Sequence, residues 1–502
     1  MPSSTHLAID LGASGGRAML AVLGGAPLAV RLEEAHRFDH EPLDTPAGPV
    51  WDLTSLWREV LTGVGRGAAM AAELGAPLRS IGVDTWAVDW ALVDPAGELL
   101  GLPHAYRDPA NAPAMQRVLD RLPGGFDALY ARTGIQRQPF NTLFQLERAY
   151  SAGPGRFAVP GAGFLMLPDL LHYWLCGARS VELTNASSTA MLDAQTQDWD
   201  RDLLATLGLP DGMLGPITAP GAVLGPVRGS LAAELGLPDG VRVVAPGTHD
   251  TASAVAAVPA EGGGDWAYLS SGTWSLLGVE LDRPITSPEA AAVPFTNEIG
   301  VGGKVRFLRN IAGLWLIQEL RRDLERDGHA LDYAELAALA GEAPPLRTLV
   351  DPNTADLAAP GDSRAKLCGQ AERTGQPLPE TPGQFARCCL ESLALSYAET
   401  LDRLESITGR RAEVLYLVGG GVNNTLLNQL TADAAHRPVR IGPSEATALG
   451  NALVQAAGLG LISDLSELRA IVARSQPVAT VRPTGDRSAW DGARRRFSEL
   501  IN

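Results

Sequence analysis

Three short loops rich in glycine and hydroxyl residues each follow an apolar run of the kind that forms a buried strand. They lie at Asp10 to Arg17, Ser270 to Thr273 and Gly419 to Asn424. Glycine lets backbone N–H groups approach phosphate oxygens, and hydroxyl side chains add further donors. A single loop of this kind is more often an ordinary turn. The set of three, with carboxylates nearby, predicts that the chain binds a phosphorylated ligand.

Two aspartates near these loops have chemistry that complements phosphate binding. Asp10 ends the first strand and can hold Mg²⁺ through water, because that ion keeps several waters and takes few carboxylates. Asp250 follows Pro246-Gly247-Thr248-His249 at the predicted start of a helix, where its carboxylate can accept a proton from an attacking hydroxyl. Both also have a structural interpretation, as a turn cap for Asp10 and a helix cap for Asp250. Arg17 can likewise neutralise phosphate or be a solvated strand residue.

A competing interpretation makes Ser14 the nucleophile of a serine hydrolase, since Gly12 to Gly16 matches the pattern G-x-S-x-G. That motif requires a helix after the serine. The segment from Arg17 to Leu23 is short and apolar and stops at Gly24-Gly25, which predicts a returning strand. The sequence also lacks the G-x-x-x-x-G-K-[ST], G-x-G-x-x-G, H-E-x-x-H and paired C-x-x-C motifs, so nucleotide binding would have to use other loops.

An internal repeat indicates two related domains. The strand-turn-strand pattern at Leu7 to Leu23 recurs at Ala267 to Val279. Periodicity further predicts helices over Leu53–Leu74, Leu165–Cys176 and Phe385–Ile407, and strands over Ser80–Asp84, Trp86–Val93, Arg242–Ala245 and Glu413–Val418. The chain is therefore expected to be α/β. Whether the last helix, from Trp490, packs back against the first domain is left open by the sequence.

Composition narrows the class of protein. The net charge of −16 on 502 residues opposes binding to nucleic acid or anionic membranes. The N-terminus lacks a signal-peptide pattern, and the most apolar later stretch, Phe164 to Cys176, is too short to span a bilayer. With only four cysteines, we expect reduced thiols and a cytoplasmic location. Monomer and dimer are both compatible with the sequence.

Four motifs resemble those of the FGGY carbohydrate kinases. They are Asp10-Leu11-Gly12-Ala13-Ser14-Gly15-Gly16-Arg17, Thr248-His249-Asp250-Thr251-Ala252-Ser253-Ala254, Ser270-Ser271-Gly272-Thr273-Trp274-Ser275 and Val418-Gly419-Gly420-Gly421. The likeness extends from residue 7 to about Gln455. It implies two ribonuclease H-like domains of the actin, hexokinase and Hsp70 type, with ATP and a sugar bound in the cleft between them. The boundary is predicted between residues 1–246, on the sugar side, and residues 247–502, on the nucleotide side.

The resemblance also implies a role for individual residues. Asp250 matches the general base. The ATP contacts implied are Ala13, Ser14, Gly15, Gly16, Arg17, Thr273, Gln318 and Gly420, and the sugar contacts are Ala87, His249, Asp250, Thr251 and Asn310. With Asp10 as the magnesium residue, the expected cofactors are ATP and Mg²⁺.

Further stretches resemble the branch of this family that phosphorylates L-rhamnulose on its C1 hydroxyl. They include Gly82-Val83-Asp84-Thr85-Trp86, Pro139-Phe140-Asn141-Thr142-Leu143 and Asn310-Ile311-Ala312-Gly313-Leu314-Trp315. Two positions depart from the pattern, since Ala87 stands where that branch has glycine and Gly15 where a second serine is usual. The alternatives are a kinase of the same family for L-fuculose, xylulose or glycerol, the hydrolase at Ser14, and a non-catalytic actin-like sugar sensor.

Overall fold

The computed structural model describes residues 4–261 and 265–501. The chain forms two compact units, of which the first comprises residues 1–257, 280–307 and 446–475. The second comprises residues 258–279, 308–445 and 476–502. The boundary predicted between residues 246 and 247 stays a prediction. Among the described residues, no helix has the length and apolar character needed to cross a membrane.

The described residues form 19 strands and 19 α-helices, both of which occur in the two halves of the chain. The strands are β1 Ser4–Gly12, β2 Gly15–Gly24, β3 Ala29–Asp39, β4 Leu43–Thr45, β5 Gly48–Val50, β6 Leu78–Thr85, β7 Trp90–Val93, β8 Gly163–Met166, β9 Val181–Glu182, β10 Ile217–Thr218, β11 Val223–Pro226, β12 Arg242–Val244, β13 Trp266–Ser271, β14 Trp274–Leu281, β15 Thr296–Ile299, β16 Val305–Ala312, β17 Val414–Val418, β18 Val439–Ile441 and β19 Ala479–Val481. The helices are α1 Leu53–Glu73, α2 Asn111–Arg121, α3 Gly125–Thr133, α4 Thr142–Ala152, α5 Leu167–Cys176, α6 Leu183–Ala186, α7 Arg201–Thr206, α8 Gly229–Glu234, α9 Asp250–Ala256, α10 Pro288–Ala292, α11 Trp315–Arg326, α12 Tyr333–Glu342, α13 Ala355–Ala358, α14 Ser363–Arg373, α15 Pro382–Thr408, α16 Thr425–Ala435, α17 Ala446–Gly458, α18 Leu465–Ser475 and α19 Arg487–Ile501.

The first unit is built on a sheet with the strand order β11-β12-β6-β1-β2-β3. β1, β2 and β3 form an antiparallel meander, and β6 pairs parallel to β1 on its other side. β12 then pairs parallel to β6. One face of this sheet buries apolar side chains against α1, including Leu7, Ile9, Val60 and Val64. Because β1, β6 and β12 run parallel to one another, their carboxyl ends lie at one edge of the sheet.

The second unit repeats this arrangement. Its strands follow the order β16-β14-β13-β17-β18-β19, with β13 antiparallel to β14 and parallel to β17. In both sheets a hairpin strand is followed across the sheet by parallel neighbours, which is the ribonuclease H-like pattern. The repeat seen in the sequence is therefore confirmed as a structural one. The last helix, α19, packs within the second unit against α15 and α16.

Most predicted elements form, and one is wrong in an instructive way. The predicted helices correspond to α1, α5 and α15, with shifts of a few residues at their ends. The strand predicted over Trp86–Val93 begins only at Trp90. Val88 has a φ of 71°, a left-handed conformation that is unfavourable for a β-branched residue and incompatible with a strand. Alternation of apolar residues does not reveal such a turn.

Helix α17 fixes the position of α9, the helix that begins with Asp250. Gly450 lies so close to α9 that a Cβ atom there would overlap the backbone carbonyl of Ser253. Gln455, further along α17, reaches the sheet. Gln455 donates to the carbonyl of Leu7 at 3.0 Å and accepts from the hydroxyl of Ser80 at 2.7 Å. α9 is thus held at a fixed distance from β1 and β6.

We expect Gly450→Ala to lower the free energy of unfolding by about 1–3 kcal/mol, because the added methyl group must push α17 away from α9. Chemical denaturation monitored by circular dichroism measures the change. The control is Gly341→Ala in α12, where a Cβ meets no atom within 4 Å and alanine should be neutral or stabilising. Equal stability of the Gly450 variant and the wild type would contradict this account.

Candidate active site

Three aspartates lie together where the parallel strands of the first unit end. Asp10 in β1 and Asp84 in β6 are direct neighbours in the strand register. Asp250 is the first residue of α9, which follows β12. The segment before it is attached to β6, because the amide of Thr85 donates to the carbonyl of Thr248 at 2.9 Å. Parallel pairing therefore brings carboxylates from distant parts of the sequence to one edge.

Two of these carboxylates, Asp250 and Asp84, have raised pKa values. Burial and the nearby Asp10 carboxylate raise the pKa of Asp250 to about 7. The same two causes raise the pKa of Asp84 well above its usual range. One cation opposes this accumulation of negative charge, since Arg17 donates to Oδ2 of Asp10 from Nε at 2.9 Å and from Nη2 at 2.6 Å. Asp250 is consequently poised to exchange a proton near neutral pH.

The two oxygens of Asp250 have different environments. Oδ1 accepts from the amide of Thr251 at 2.6 Å and from its hydroxyl at 3.0 Å. Nε2 of His249 lies 3.5 Å from the same oxygen. Within the described chain, no residue donates a hydrogen bond to Oδ2, and the side chain is 29% exposed. Oδ2 is the oxygen that can take a proton from a ligand.

The loop before Asp250 is held by a buried glutamate. Glu182, at the end of β9, accepts through Oε2 from the amide of Thr248 at 3.0 Å and from its hydroxyl at 2.7 Å. The same carboxylate accepts from the amide of Thr184, whose hydroxyl accepts from the amide of His249 at 3.2 Å. His249 and Asp250 are therefore carried on a backbone that is fixed on both sides.

The first glycine-rich loop is the tip of the β1–β2 hairpin. Gly12 faces Gly15 across a turn made by Ala13 and Ser14. Gly16 follows in β2, where a Cβ would overlap the rings and methyl groups of Phe38 and Leu11. His40 supports the tip by contacting the carbonyl of Gly12 through Nε2 at 2.8 Å.

Since a strand and not a helix follows Ser14, the interpretation of this motif as a hydrolase nucleophile is wrong.

The segment around Ala87 lies beside the same edge of the sheet. The amide of Trp86 donates to the carbonyl of Leu11 at 3.1 Å, which places Ala87 next to the end of β1. The strained turn at Val88 is fixed by Thr142, whose hydroxyl donates to the carbonyl of Val88 at 2.7 Å. Ala87, Asp10 and the His249 loop are thus gathered within the first unit.

Four of the predicted residues belong to the second unit. Thr273 is at the tip of the β13–β14 hairpin, and its carbonyl accepts from the amide of Trp315 at the start of α11. Gln318 lies in the first turn of α11. At Gly313 a Cβ would come within 2.7 Å of the carbonyls of Gly272 and Thr273, so only glycine permits this close packing. Asn310 lies in β16, beside β14.

Gly420 occupies the loop after β17. Its neighbour Gly419 has a φ of 86°, and a Cβ on Gly421 would overlap the hydroxyl of Ser271. The triple-glycine loop therefore packs directly on the end of β13, near the tip that carries Thr273. A Cβ on Gly420 itself would meet nothing within 4 Å, so this residue faces open space.

The aspartate edge fits a hydrated divalent cation better than a directly chelated one. In the described residues there is no group of three or more His, Cys, Asp or Glu side chains with metal-binding geometry. Arg17 occupies Oδ2 of Asp10, whereas Oδ1 accepts no hydrogen bond from the described residues and can accept one from a metal-bound water. A cation would also relieve the repulsion that raises the pKa of Asp84.

Sequence reasoning assigned no role to Asp84, Glu182 or Arg306. Asp84 ends a predicted strand as Asp10 does. This shared position could have indicated that Asp84 lies beside Asp10 in the site. Arg306 interrupts the apolar run of β16 and is completely buried. A completely buried charge inside a strand is informative because such a charge requires a partner. The short strand that carries Glu182 has no comparable signal.

Solved structures of sugar kinases share this fold. The xylulose kinase of Lactobacillus acidophilus, in a ligand-bound structure, superimposes with a TM-score of 0.80 at 15% identity, covering 99% of this chain and 97% of that one. The glycerol kinase of Plasmodium falciparum with ADP gives a TM-score of 0.79 at 14% identity, over 100% and 98% of the two chains. At these identities the likeness defines the class of fold alone, that of two-domain carbohydrate kinases.

Sequence comparison identifies the family. Residues 5–257 match the N-terminal domain and residues 267–459 the C-terminal domain of the FGGY family of carbohydrate kinases. The chain belongs to this family, as its motifs predicted. It is similar to the rhamnulokinase of Bacteroides thetaiotaomicron, with 39% identity over 98% of this chain and 99% of the relative. It is also 40% identical to the rhamnulokinase of Enterococcus faecalis, over 94% and 93% of the two chains.

Asp89 anchors the segment that carries Ala87. Its Oδ2 accepts from the indole Nε1 of Trp51 at 2.6 Å and of Trp86 at 2.8 Å, and its Oδ1 accepts from Gln145 at 3.2 Å. Burial raises the pKa of Asp89 to about 7 despite these donors. The Trp51 and Trp86 rings are 4.2 Å apart between centroids, so the carboxyl group holds a packed aromatic pair beside Ala87.

The raised pKa of Asp89 predicts a pH-dependent contribution to stability. The folded-state pKa of about 7 lies above the unfolded value near 4, so the native state binds more protons. This contribution to the free energy of unfolding should therefore fall as pH rises from about 4 to about 7, by up to about 4 kcal/mol. Asp89→Asn does not titrate, and the stability advantage of the wild type over it should shrink across that range.

Urea unfolding at several pH values measures this difference. Asp239→Asn, at an exposed position, is the control and should differ from the wild type by a constant amount. A difference between Asp89→Asn and the wild type that does not change with pH would contradict the prediction.

Proposed function

We propose that this chain transfers the γ-phosphoryl group of ATP to the C1 hydroxyl of L-rhamnulose, producing L-rhamnulose 1-phosphate in L-rhamnose catabolism. The reaction class follows from membership in the carbohydrate kinase family. The observation that supports this particular sugar is the 39–40% identity, over nearly the whole chain, to relatives named rhamnulokinase. Substitution of Ala87 for the usual glycine leaves its backbone available for a sugar contact.

Asp250 is proposed as the general base. Its Oδ2 takes the proton of the C1 hydroxyl as the hydroxyl oxygen forms a bond to the γ-phosphorus. The bond between that phosphorus and the bridging oxygen of ATP breaks, and ADP leaves with the electron pair. A pKa of about 7 suits a base at neutral pH, because it balances the deprotonated fraction against proton affinity. Two donors on Oδ1 orient the carboxylate so that Oδ2 remains available.

The remaining residues are proposed to hold the substrates. His249, Thr251, Ala87 and Asn310 would contact the sugar. The tip from Ala13 to Gly16 with Arg17 would contact phosphate oxygens of ATP, and Thr273, Gln318 and Gly420 would contact the rest of the nucleotide. Phosphoryl transfer depends mainly on such positioning and on neutralisation of charge. When bound through water at Asp10, Mg²⁺ would supply additional positive charge beside the phosphates.

A cytoplasmic location is part of the proposal. All four cysteines are free thiols, which suits a reducing compartment, and ATP is the phosphoryl donor.

Replacing Asp250 with asparagine should reduce kcat by a hundredfold to ten-thousandfold, because the isosteric amide fills the same space but accepts no proton. Binding of the sugar should be retained. A coupled assay of ADP formation measures kcat, and calorimetry measures sugar binding. Asp202→Asn, in the first turn of α7, is a control that changes an exposed aspartate in a comparable helical position. Near-normal turnover of Asp250→Asn would remove this residue from the role of base.

A panel of ketoses and polyols with ATP and Mg²⁺ tests the substrate. We expect the highest kcat/KM with L-rhamnulose and only weak ATP hydrolysis without sugar, since closure of a kinase around its substrate excludes water. Preference for L-fuculose, xylulose or glycerol would retain the reaction class and change the sugar. Binding of a sugar without any phosphoryl transfer would instead support the sugar sensor.

A further inference from the structure

His249 belongs to a buried polar cluster whose other members lie outside the four sequence motifs described above. Arg306 in β16 and Glu298 in β15 are both buried, and the Arg306 side chain is 0% exposed. Nη2 of Arg306 lies 3.0 Å from Nδ1 of His249 and 3.1 Å from Oε2 of Glu298. Nε of Arg306 donates to the carbonyl of Ile299 at 3.3 Å. All of these residues belong to the first unit.

The chemistry of arginine determines the direction of the bond to His249. A guanidinium group remains protonated in proteins and has N–H donors but no acceptor. The hydrogen bond between Nη2 and Nδ1 therefore requires an unprotonated Nδ1 with its lone pair facing Arg306. A neutral imidazole with a bare Nδ1 carries its proton on Nε2.

Glu298 and the charge state of the ring do not alter this assignment. Nδ1 of His249 lies 3.3 Å from Oε2 of Glu298, but only the contact with Arg306 has hydrogen-bond geometry. Burial and the Arg306 charge also lower the pKa of His249 well below its usual value, so a doubly protonated ring is disfavoured. The charged groups facing the ring are Arg306, Glu298 and Asp250.

The buried Arg306 side chain lowers the stability of the native state in one respect. Its Nη1 is buried and has no hydrogen-bond partner among the described residues. Such a donor destabilises the native state, and an apolar residue of similar volume often replaces a buried ion pair without loss. This cost is consistent with a role for Arg306 in positioning another group.

We propose that Arg306 is a positioning residue that fixes His249 in the tautomer with the proton on Nε2, so that the ring offers an N–H donor beside the carboxylate of Asp250. Nε2 lies 3.5 Å from Oδ1 of Asp250, longer than a good hydrogen bond. The N–H group is thus available to an oxygen acceptor on the substrate, next to the hydroxyl that reacts. The part concerning the substrate rests on the proposed function, whereas the tautomer does not.

The tautomer is measured directly by NMR on the full chain labelled with ¹⁵N-histidine. Long-range ¹H–¹⁵N correlation distinguishes a protonated ring nitrogen from a bare one, and the signals of His249 are assigned by their loss in His249→Gln. We expect a protonated Nε2 and a bare Nδ1 in the wild type, between pH 6 and pH 8. A protonated Nδ1 in the wild type would overturn the inference without any variant being needed.

Variants then test which neighbour sets the tautomer. Arg306→Lys retains a donor and should retain the Nε2–H form, as should Glu298→Gln. Arg306→Met removes the donor and should lose the preference, with Nδ1–H appearing opposite Glu298. Arg469→Met, which breaks the ion pair with Glu280, is the control and should leave the His249 signals unchanged. If Glu298→Gln and not Arg306→Met changes the tautomer, Glu298 sets it and the proposal is wrong.

Kinetics test the use of the N–H group by the substrate. The amide nitrogen of glutamine can replace Nε2–H, whereas the shorter asparagine reaches only as far as Nδ1. We expect His249→Asn to have a kcat/KM about tenfold to a hundredfold below that of His249→Gln, mainly through KM. Equal losses in the two variants would remove the donor role. If no sugar is phosphorylated, the proposed function fails while the NMR result still decides the tautomer.

Discussion

The first unit has to accommodate the repulsion between three carboxylates that lie at one edge of its sheet. Parallel pairing of β1 and β6 sets Asp10 beside Asp84, and the turn after β12 adds Asp250 to the same edge. Such a cluster opposes folding unless protons, cations or donors compensate for it. The surrounding polar contacts provide part of this compensation, from Arg17 on Asp10 and from Asn451, which donates to Asp84. The remaining excess of negative charge raises the affinity of the edge for protons.

The sequence predicted the fold from local patterns and the aspartate edge only in part. The repeated hairpins, the long helix α15 and the aspartate at the start of α9 are encoded by short stretches, and the structure confirms these elements. The places of Asp84 and Arg306 in the site depend on contacts between residues far apart in the chain, which local patterns do not show. Val88 depends on a backbone conformation that its residue type disfavours. Periodicity reports burial along one element, so it reveals neither which strands become neighbours nor where a turn is strained.

The β1–β2 and β13–β14 hairpins have the same topology, but their tips are supported in different ways. In the first unit the tip is supported by a side chain, since His40 contacts the carbonyl of Gly12. In the second unit the tip is supported by backbone contacts, through the close approach of Gly313 to Gly272 and Thr273. The absence of a side chain at Gly313 lets the start of α11 pack directly against the tip of β13–β14. Thr273 is consequently in direct contact with the helix that carries Gln318.

The unequal oxygens of Asp250 have a stereochemical consequence. Thr251 directs two donors at Oδ1, so only the lone pairs of Oδ2 offer basicity, along a restricted set of directions. In the proposed mechanism, a hydroxyl that arrives along these directions can transfer its proton to Oδ2. The same hydroxyl on the opposite face of an epimer meets an oxygen whose electron density is already engaged. Chiral discrimination can therefore originate at the carboxylate proposed as the general base, in addition to the walls that bind the rest of the sugar.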